Sequence, residues 1–450
     1  MSEKKSGLSA FGLTMMAIGT VIGGSFFLGS AIPIKAAGPS IMISYVIGGI
    51  LVYFILFALS EMTVADADPG SFRAFAQRAF GPAAGFITGW VYWTGLILAM
   101  SSEAVAVSLL IRLWYPQVSI PLIGGLIILL ITMVNLMGAG WITRLESTLA
   151  AIKVVAIIAF IVLAAALISG FFPGKPQVGT GALGTEPIFQ GGVAGIAGSM
   201  LMVMFTYAGF EVIGLAASEA RQPHRTVPRA ILYTVLTLSI LYIGAIALLL
   251  PLLPTQNVST EVSPFIAALE YQGIGWVAGV INIILVTAIL STMLAATFGL
   301  GRMMRSLVDE GHAPHWLKDK GDVPYRGIGF SGAAMLAGLA LSFLLPKQVY
   351  LFLVGSGGFS LLFTYLIILL SHYKFRKKYG CPPKGNCQLP GYPFTSWIAI
   401  AATAAILISM PLVPGQGSGM LAGFSLVVFY LLCFAVMHYV KRHRRVKRYT

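Results

Sequence analysis

The chain has 450 residues, of which 57% are hydrophobic and 10% charged, against roughly 25% charged in soluble globular chains. That composition excludes a water-soluble domain of this size, which would need polar groups over its whole surface. The formal net charge of +14 would point to nucleic acid in a soluble chain, but here its placement between apolar spans points to a bilayer.

Met1 to Ser6 is short and polar, and no cleavable signal follows, so the first apolar stretch is expected to stay in the mature protein. Residues 41–59, 154–169, 230–250, 276–300 and 349–371 approach or exceed the ~20 residues a helix needs to cross a bilayer. Backbone groups cannot go unpaired in lipid, so such runs must be helices. The reading is all-α with twelve transmembrane helices, over 9–32, 40–63, 84–110, 120–139, 145–169, 193–218, 228–250, 275–303, 329–345, 349–374, 395–412 and 417–440. Residues 72–80 are predicted as a short amphipathic helix on the membrane surface. Residues 171–192 form a Gly- and Pro-rich external loop, and 254–274 another, with a short helix from Val262 to Tyr271.

Basic residues cluster in alternate loops. Lys4 and Lys5 precede the first helix, and Arg73 and Arg78 follow the second. Arg221, Arg225 and Arg229 follow the sixth, Arg302, Arg305, Lys318, Lys320 and Arg326 the eighth, and Lys374, Arg376, Lys377, Lys378 and Lys384 the tenth. The opposite loops carry Lys35, Arg112, Lys175 and Lys347. By the positive-inside rule both termini are expected in the cytoplasm. The basic tail after Lys441 reads as a headgroup anchor, with specific anionic-lipid binding as the sharper alternative. Cys381 and Cys387 fall in a loop placed in the cytoplasm, where a disulfide is not expected, so both read as free thiols.

Two helices carry an interruption. The first contains Ile22-Gly23-Gly24-Ser25 and the sixth Phe205-Thr206-Tyr207-Ala208-Gly209-Phe210-Glu211. Glycine lets a helix unwind and lets a ligand approach the backbone. Interrupted segments at matching places in two halves are the best sequence pointer to a transporter's binding site. Breaking the first helix at Gly23–Ser25 frees positively polarised amides that suit a carboxylate, and the freed carbonyls suit an ammonium. Tyr92, Phe205 and Thr297 are plausible pocket residues from helices 3, 6 and 8.

Ionisable residues inside a membrane are costly and functional by default. Lys153 in helix 5, Glu103 in helix 3 and Glu211 after the second break are the candidates for proton coupling. Lys153 is the basic residue placed in the hydrocarbon interior. It either exchanges a proton during a cycle or stays paired with unwound carbonyls or a carboxylate. Glu61 and Glu219 sit near helix ends, where capping or arginine pairing accounts for them.

Several stretches resemble the amino acid–polyamine–organocation superfamily of permeases, particularly its bacterial amino acid permease branch. They are Ile18 through Gly29; Gly70-Ser71-Phe72 with Phe80-Gly81-Pro82 and Gly89 through Trp93; Phe205 through Glu211 with Glu219 through Pro223 and Val227 through Ala230; and Gly301 through Met304 with Asp309 through Pro314. The resemblance covers nearly the whole chain. It implies a LeuT-like five-plus-five inverted repeat, over 9–169 and 193–374. A short cytoplasmic N-terminus (1–8), two peripheral helices (395–440) and a basic tail (441–450) complete the chain. It implies that Gly23, Gly24 and Ser25 receive a substrate carboxylate, and that carbonyls of Val21, Phe205 and Ala208 receive its amine, with Gly209 beside them. It also implies that Lys153 stands where sodium-coupled relatives bind sodium. The chain departs from the family at Ser25, where glycine is usual, and at Leu294, where the branch often has Asn. The serine adds a hydroxyl and narrows the pocket, and the leucine favours an apolar or small substrate.

The expectation is a secondary transporter importing amino acids across the cell inner membrane, with a proton as coupling ion and no other cofactor. Amino acid exchange and uncoupled facilitation are the alternatives, and a channel or nutrient sensor built on the same fold is disfavoured. Its partners are an amino acid and membrane lipid, not nucleic acid. A membrane enzyme is disfavoured because His224, His312, His315, His372, His438 and His443 fall in loops or at helix ends without metal-ligand spacing.

Overall fold

The computed structural model describes residues 8–446, apart from 67, 69, 138, 218–219, 322, 345–348, 382–386 and 414. The side chains of 139–147, 342–344 and 441–446 are likewise outside the description. Lys4, Lys5, Glu219, Lys347 and Lys384, and the side chains of the basic tail, therefore lie outside the description.

The first predicted span is α1 (Ala10–Val21), α2 (Gly24–Phe27) and α3 (Ala31–Ala37). Ser9 caps α1, its Oγ accepting the Gly12 amide at 3.1 Å. After α4 (Ile41–Ala65) comes α5 (Ser71–Phe80), which buries Phe72 and Phe75 against the body of the protein. Then follow α6 (Pro82–Arg112), α7 (Ile120–Leu136) and α8 (Ala139–Ser169). The sixth span is also divided, into α9 (Gly192–Thr206) and α10 (Val212–Ala216). The rest of the chain is α11 (Pro223–Leu249), α12 (Pro264–Tyr271), α13 (Gly275–Asp309), α14 (Tyr325–Leu344), α15 (Val349–Tyr379), α16 (Phe394–Ser409) and α17 (Gly417–Val446).

Eight helical spans are long and apolar enough to cross a bilayer among the described residues. Three more apolar helices are shorter: Ala10–Val21, Ile120–Leu136 and Gly192–Thr206. Two of these are the interrupted spans. They fall short because the helix stops part-way and a second piece continues beyond the break. Helices α13 and α15 run past the expected ends at 303 and 374, to Asp309 and Tyr379. Arg, Lys and Met are good helix formers, so leaving the hydrocarbon does not end a helix.

Position in the bundle follows burial. The most apolar windows of α6 and α15 are 78% buried, and α6 packs along α15 at the centre. The corresponding window of α17 is only 6% buried, so this helix lies at the periphery. On one side of the breaks an aromatic layer closes the interior. Phe26 stacks on Tyr242 with ring centroids 3.9 Å apart, and Phe265 of α12 lies 5.2 Å from Phe26.

The cysteine expectation is corrected here. Cys381 and Cys387 are paired rather than free, with Cα atoms 5.2 Å apart, within the range a disulfide spans. The two cysteines read as isolated thiols are six residues apart in the sequence and adjacent in the structure.

Candidate functional site

The two breaks touch each other. Gly209 takes φ +110, a value L side chains rarely adopt, and a Cβ there would lie 2.9 Å from the Thr20 carbonyl oxygen. Between the breaks lies a cavity of ≈ 30 Å³, room for about two waters. That is less than the volume of any amino acid.

The cavity gathers most of the residues singled out from sequence. Val21, Ser25, Tyr92, Glu103, Phe205, Ala208, Gly209 and Glu211 all line it. Tyr92, Leu96, Ala99 and Glu103 form one wall, spaced four, three and four residues apart on α6. That spacing is one face of a helix, and it could have identified Leu96 and Ala99 from the sequence. Leu361 of α15 and Ala296 of α13 complete the apolar lining.

The free amides of the first break are occupied. The Gly24 amide donates to Glu103 Oε2 at 2.7 Å and the Ser25 amide to Oε1 at 3.1 Å. A Cβ on Gly24 would stand 2.5 Å from Oε2, so the carboxylate can come this near only to glycine. Lys153 is fully buried, and its Nζ donates to the Gly19 carbonyl and, at 2.9 Å, to Thr292 Oγ1. Thr292 in turn donates to the Ile22 carbonyl at 2.8 Å. The carbonyls left over where α1 stops are thus held by a lysine from α8 and a threonine from α13.

The second break is organised by Glu211. Its Oε1 accepts the Tyr92 hydroxyl at 3.0 Å, and its Oε2 accepts the Tyr365 hydroxyl at 3.0 Å and the Gly209 amide at 3.1 Å. One carboxylate therefore joins α6, the sixth span and α15. The Phe205 carbonyl, assigned to a substrate amine by resemblance, already accepts the Ala208 amide at 3.1 Å.

Gly23, Gly24 and Lys153 stand behind the lining rather than in it, and Lys153 is bonded to the Gly19 carbonyl and to Thr292, which does line the cavity. Thr297 is not brought to the cavity. Its hydroxyl donates to the Met293 carbonyl of its own helix at 2.7 Å. Leu294 is not part of the lining either; its carbonyl accepts Asn135 Nδ2 at 3.2 Å. Sequence reasoning missed Thr292 and Tyr365, polar residues inside long apolar helices whose facing could not be read without the neighbours.

A third buried carboxylate lies apart from the cavity. Glu61 on α4 accepts the Gln388 and Leu389 amides at 2.6 and 2.9 Å, and His372 Nε2 lies 2.7 Å from its other oxygen. Arg376 Nε stands 3.5 Å from the same oxygen. No cluster of His, Cys, Asp or Glu that could hold a metal ion occurs among the described residues.

A sequence profile described as amino acid permease matches residues 12–448. The chain belongs to the amino acid permease family. It is a multi-span membrane permease of the LeuT-like fold, and not an enzyme. This permease is 32% identical to the γ-aminobutyric acid permease of Bacillus subtilis, over 95% of its own length and 94% of the relative's. It is 32% identical to the aromatic amino acid transport protein AroP of Escherichia coli K12, over 92% and 91%. It is also 32% identical to a probable threonine/serine transporter, YbxG of Bacillus subtilis, over 91% and 89%.

Proposed function

We propose that this permease imports a neutral amino acid by alternating access, coupled to protons, at the cavity between the two breaks. The observation that carries the reading is the carboxylate of Glu103 on the Gly24 and Ser25 amides. A substrate carboxylate bound at the same break competes with Glu103 for these donors, because two anions cannot share them without repulsion. Adding a proton to Glu103 removes its charge and frees the amides. Loading substrate then also loads a proton.

Lys153 and Thr292 hold the carbonyl side of the break, and Glu211 holds the second break to α6 and α15. The apolar walls from Leu96, Ala99, Ala296 and Leu361 favour an uncharged side chain of modest size. The repeats run over 9–169 and 193–374, and the first, second, sixth and seventh spans rock against the remainder. The protein resides in the cell membrane with both termini in the cytoplasm, in accord with the loop charges.

Reconstituted vesicles test the proposal. A proton gradient, acid outside, is expected to drive accumulation of the substrate, and a sodium gradient alone is not. Accumulation that follows sodium and ignores protons would overturn the coupling. Counterflow without net accumulation would favour exchange. Lys153→Ala is expected to abolish proton-driven accumulation while leaving some exchange. Unchanged accumulation in that variant would remove Lys153 from the coupling path.

A further inference from the structure

A basic recess far from the cavity is used by nothing described above. It measures ≈ 260 Å³ and lies where the start of α1 meets the start of α11. Arg221, Arg225 and Arg229 line it, together with Ser9, Gln222 and Thr226. The two chain segments are tied at its edge, where the Arg221 amide donates to the Leu8 carbonyl at 3.0 Å. All three arginines are exposed, and none forms an ion pair with a described residue.

The arrangement is electrostatically unfavourable as it stands. Three guanidinium groups converge on one concavity, and Arg225 lies in the first turn of α11, where the helix dipole repels cations. An anion in the recess reverses the sign of both effects. Guanidinium groups suit phosphate oxygens because they donate through a planar fork.

The surroundings say which phosphate. Tyr233, Leu236 and Ile240 follow Arg229 along α11 at intervals of four, three and four residues, and all three are exposed. They form one continuous apolar stripe on a membrane-spanning helix. Phe11, 72% exposed, follows the lining residues Ser9 and Ala10 in the chain. A molecule with a phosphate in the recess and a hydrocarbon chain along this stripe satisfies both surfaces at once. We infer that Arg221, Arg225 and Arg229 form a binding site for the headgroup of an anionic phospholipid, whose acyl chain lies along Tyr233, Leu236 and Ile240. Basic pockets between membrane helices recognise headgroups by the same chemistry. The bound lipid ties the start of α1 to the start of α11.

The test uses the purified full-length protein in detergent and follows its thermal unfolding. Three additives are compared: phosphatidylglycerol, phosphatidylcholine with the same chains, and inorganic phosphate. Binding to the folded state raises the unfolding temperature, so phosphatidylglycerol is expected to stabilise and the other two are not. The triple variant Arg221→Gln, Arg225→Gln, Arg229→Gln is expected to lose that shift. The double variant Lys318→Gln, Lys320→Gln, altered at exposed lysines outside the recess, is expected to keep it. An equal shift from phosphatidylcholine would overturn the site, as would a full shift retained by the triple variant or lost by the lysine variant. Inorganic phosphate reproducing the whole shift would overturn the lipid assignment. The three-additive comparison on the unaltered protein decides the matter even where a variant fails to fold.

Discussion

Glu103 and Glu61 are two buried carboxylates that each accept two consecutive backbone amides, and the difference between them lies in what else surrounds them. Glu61 takes its amides from a loop and is backed by His372 and Arg376. Its charge is balanced on the spot, and it does not line the cavity. Glu103 takes its amides from the break in the first span and faces the cavity, with Lys153 held a short distance away by the Gly19 carbonyl and Thr292. On the function proposed above, the same hydrogen-bonding pattern is a fastening in one place and an exchangeable contact in the other. A carboxylate pinned by Arg376, the His372 ring and loop backbone holds α4, α15 and the following loop together. A carboxylate on amides beside a cavity can be replaced by another carboxylate.

The largest effect that separates the two is expected from Glu61→Ala. It leaves two amides, a histidine and an arginine without their acceptor, and breaking a buried charged pair costs about 3–5 kcal/mol. Thermal unfolding in detergent reads this loss, and uptake per folded molecule should survive. A variant with normal stability but no uptake would place Glu61 in the transport cycle and dissolve the contrast. Glu103→Gln is expected to behave in the opposite way. The amide keeps the shape and one acceptor oxygen but neither carries charge nor exchanges a proton. Proton-driven uptake should fall by more than about tenfold, which is ~1.4 kcal/mol at the transition state, with a small change in unfolding temperature. Unaltered proton-driven accumulation would show that Glu103 is as structural as Glu61.

A smaller effect is expected from Gly24→Ala, which leaves Glu103 chemically intact and moves it. The added methyl meets Oε2 at 2.5 Å, Ile289 Cδ1 at 3.1 Å and the Ala106 Cβ at 3.2 Å. The carboxylate must withdraw, and overpacking of this kind costs about 1–3 kcal/mol. Substrate affinity measured by equilibrium binding should weaken, with the protein still folded. Equal affinity would mean that the seating of Glu103 on Gly24 does not bear on binding.

Legibility in the sequence followed the range of the interaction. The spans, the short helix α5, the loop helix α12 and both breaks depend on local composition and periodicity, and each overlaps its expected place, with some ends displaced by as much as six residues (α13 ends at Asp309 rather than 303). The clustering of Ser25, Glu103 and Glu211 around one cavity was legible only as a set of polar residues in apolar surroundings. Which amide each carboxylate takes was not, because Gly24 and Glu103 are 79 residues apart and Glu61 and His372 are 311 apart. Such pairings depend on how helices are packed, which periodicity does not encode. The paired Cys381 and Cys387 show the reverse error, where an argument from cellular compartment overrode a spacing that permitted contact.

The smallest expected effect concerns helix α13, where one residue step decides between a role and none. Each step along an α-helix turns the side chain by about 100°, so Ala296 faces the cavity and Thr297 does not. The Thr297 hydroxyl bonds the carbonyl of Met293 one turn back. That carbonyl also receives the ordinary helical amide, so removing the hydroxyl orphans nothing. Thr297→Val is therefore expected to leave substrate affinity and uptake within about twofold, under ~0.5 kcal/mol, because no buried donor or acceptor is left unpaired. Thr292→Val, one turn and one residue earlier, strips a partner from Lys153 and from the Ile22 carbonyl and should cost far more. Parallel binding curves for the two valine variants check the pair. Equal losses would mean that the facing of α13 differs from the one described, and the Lys153–Thr292 link to the first break would lose its basis.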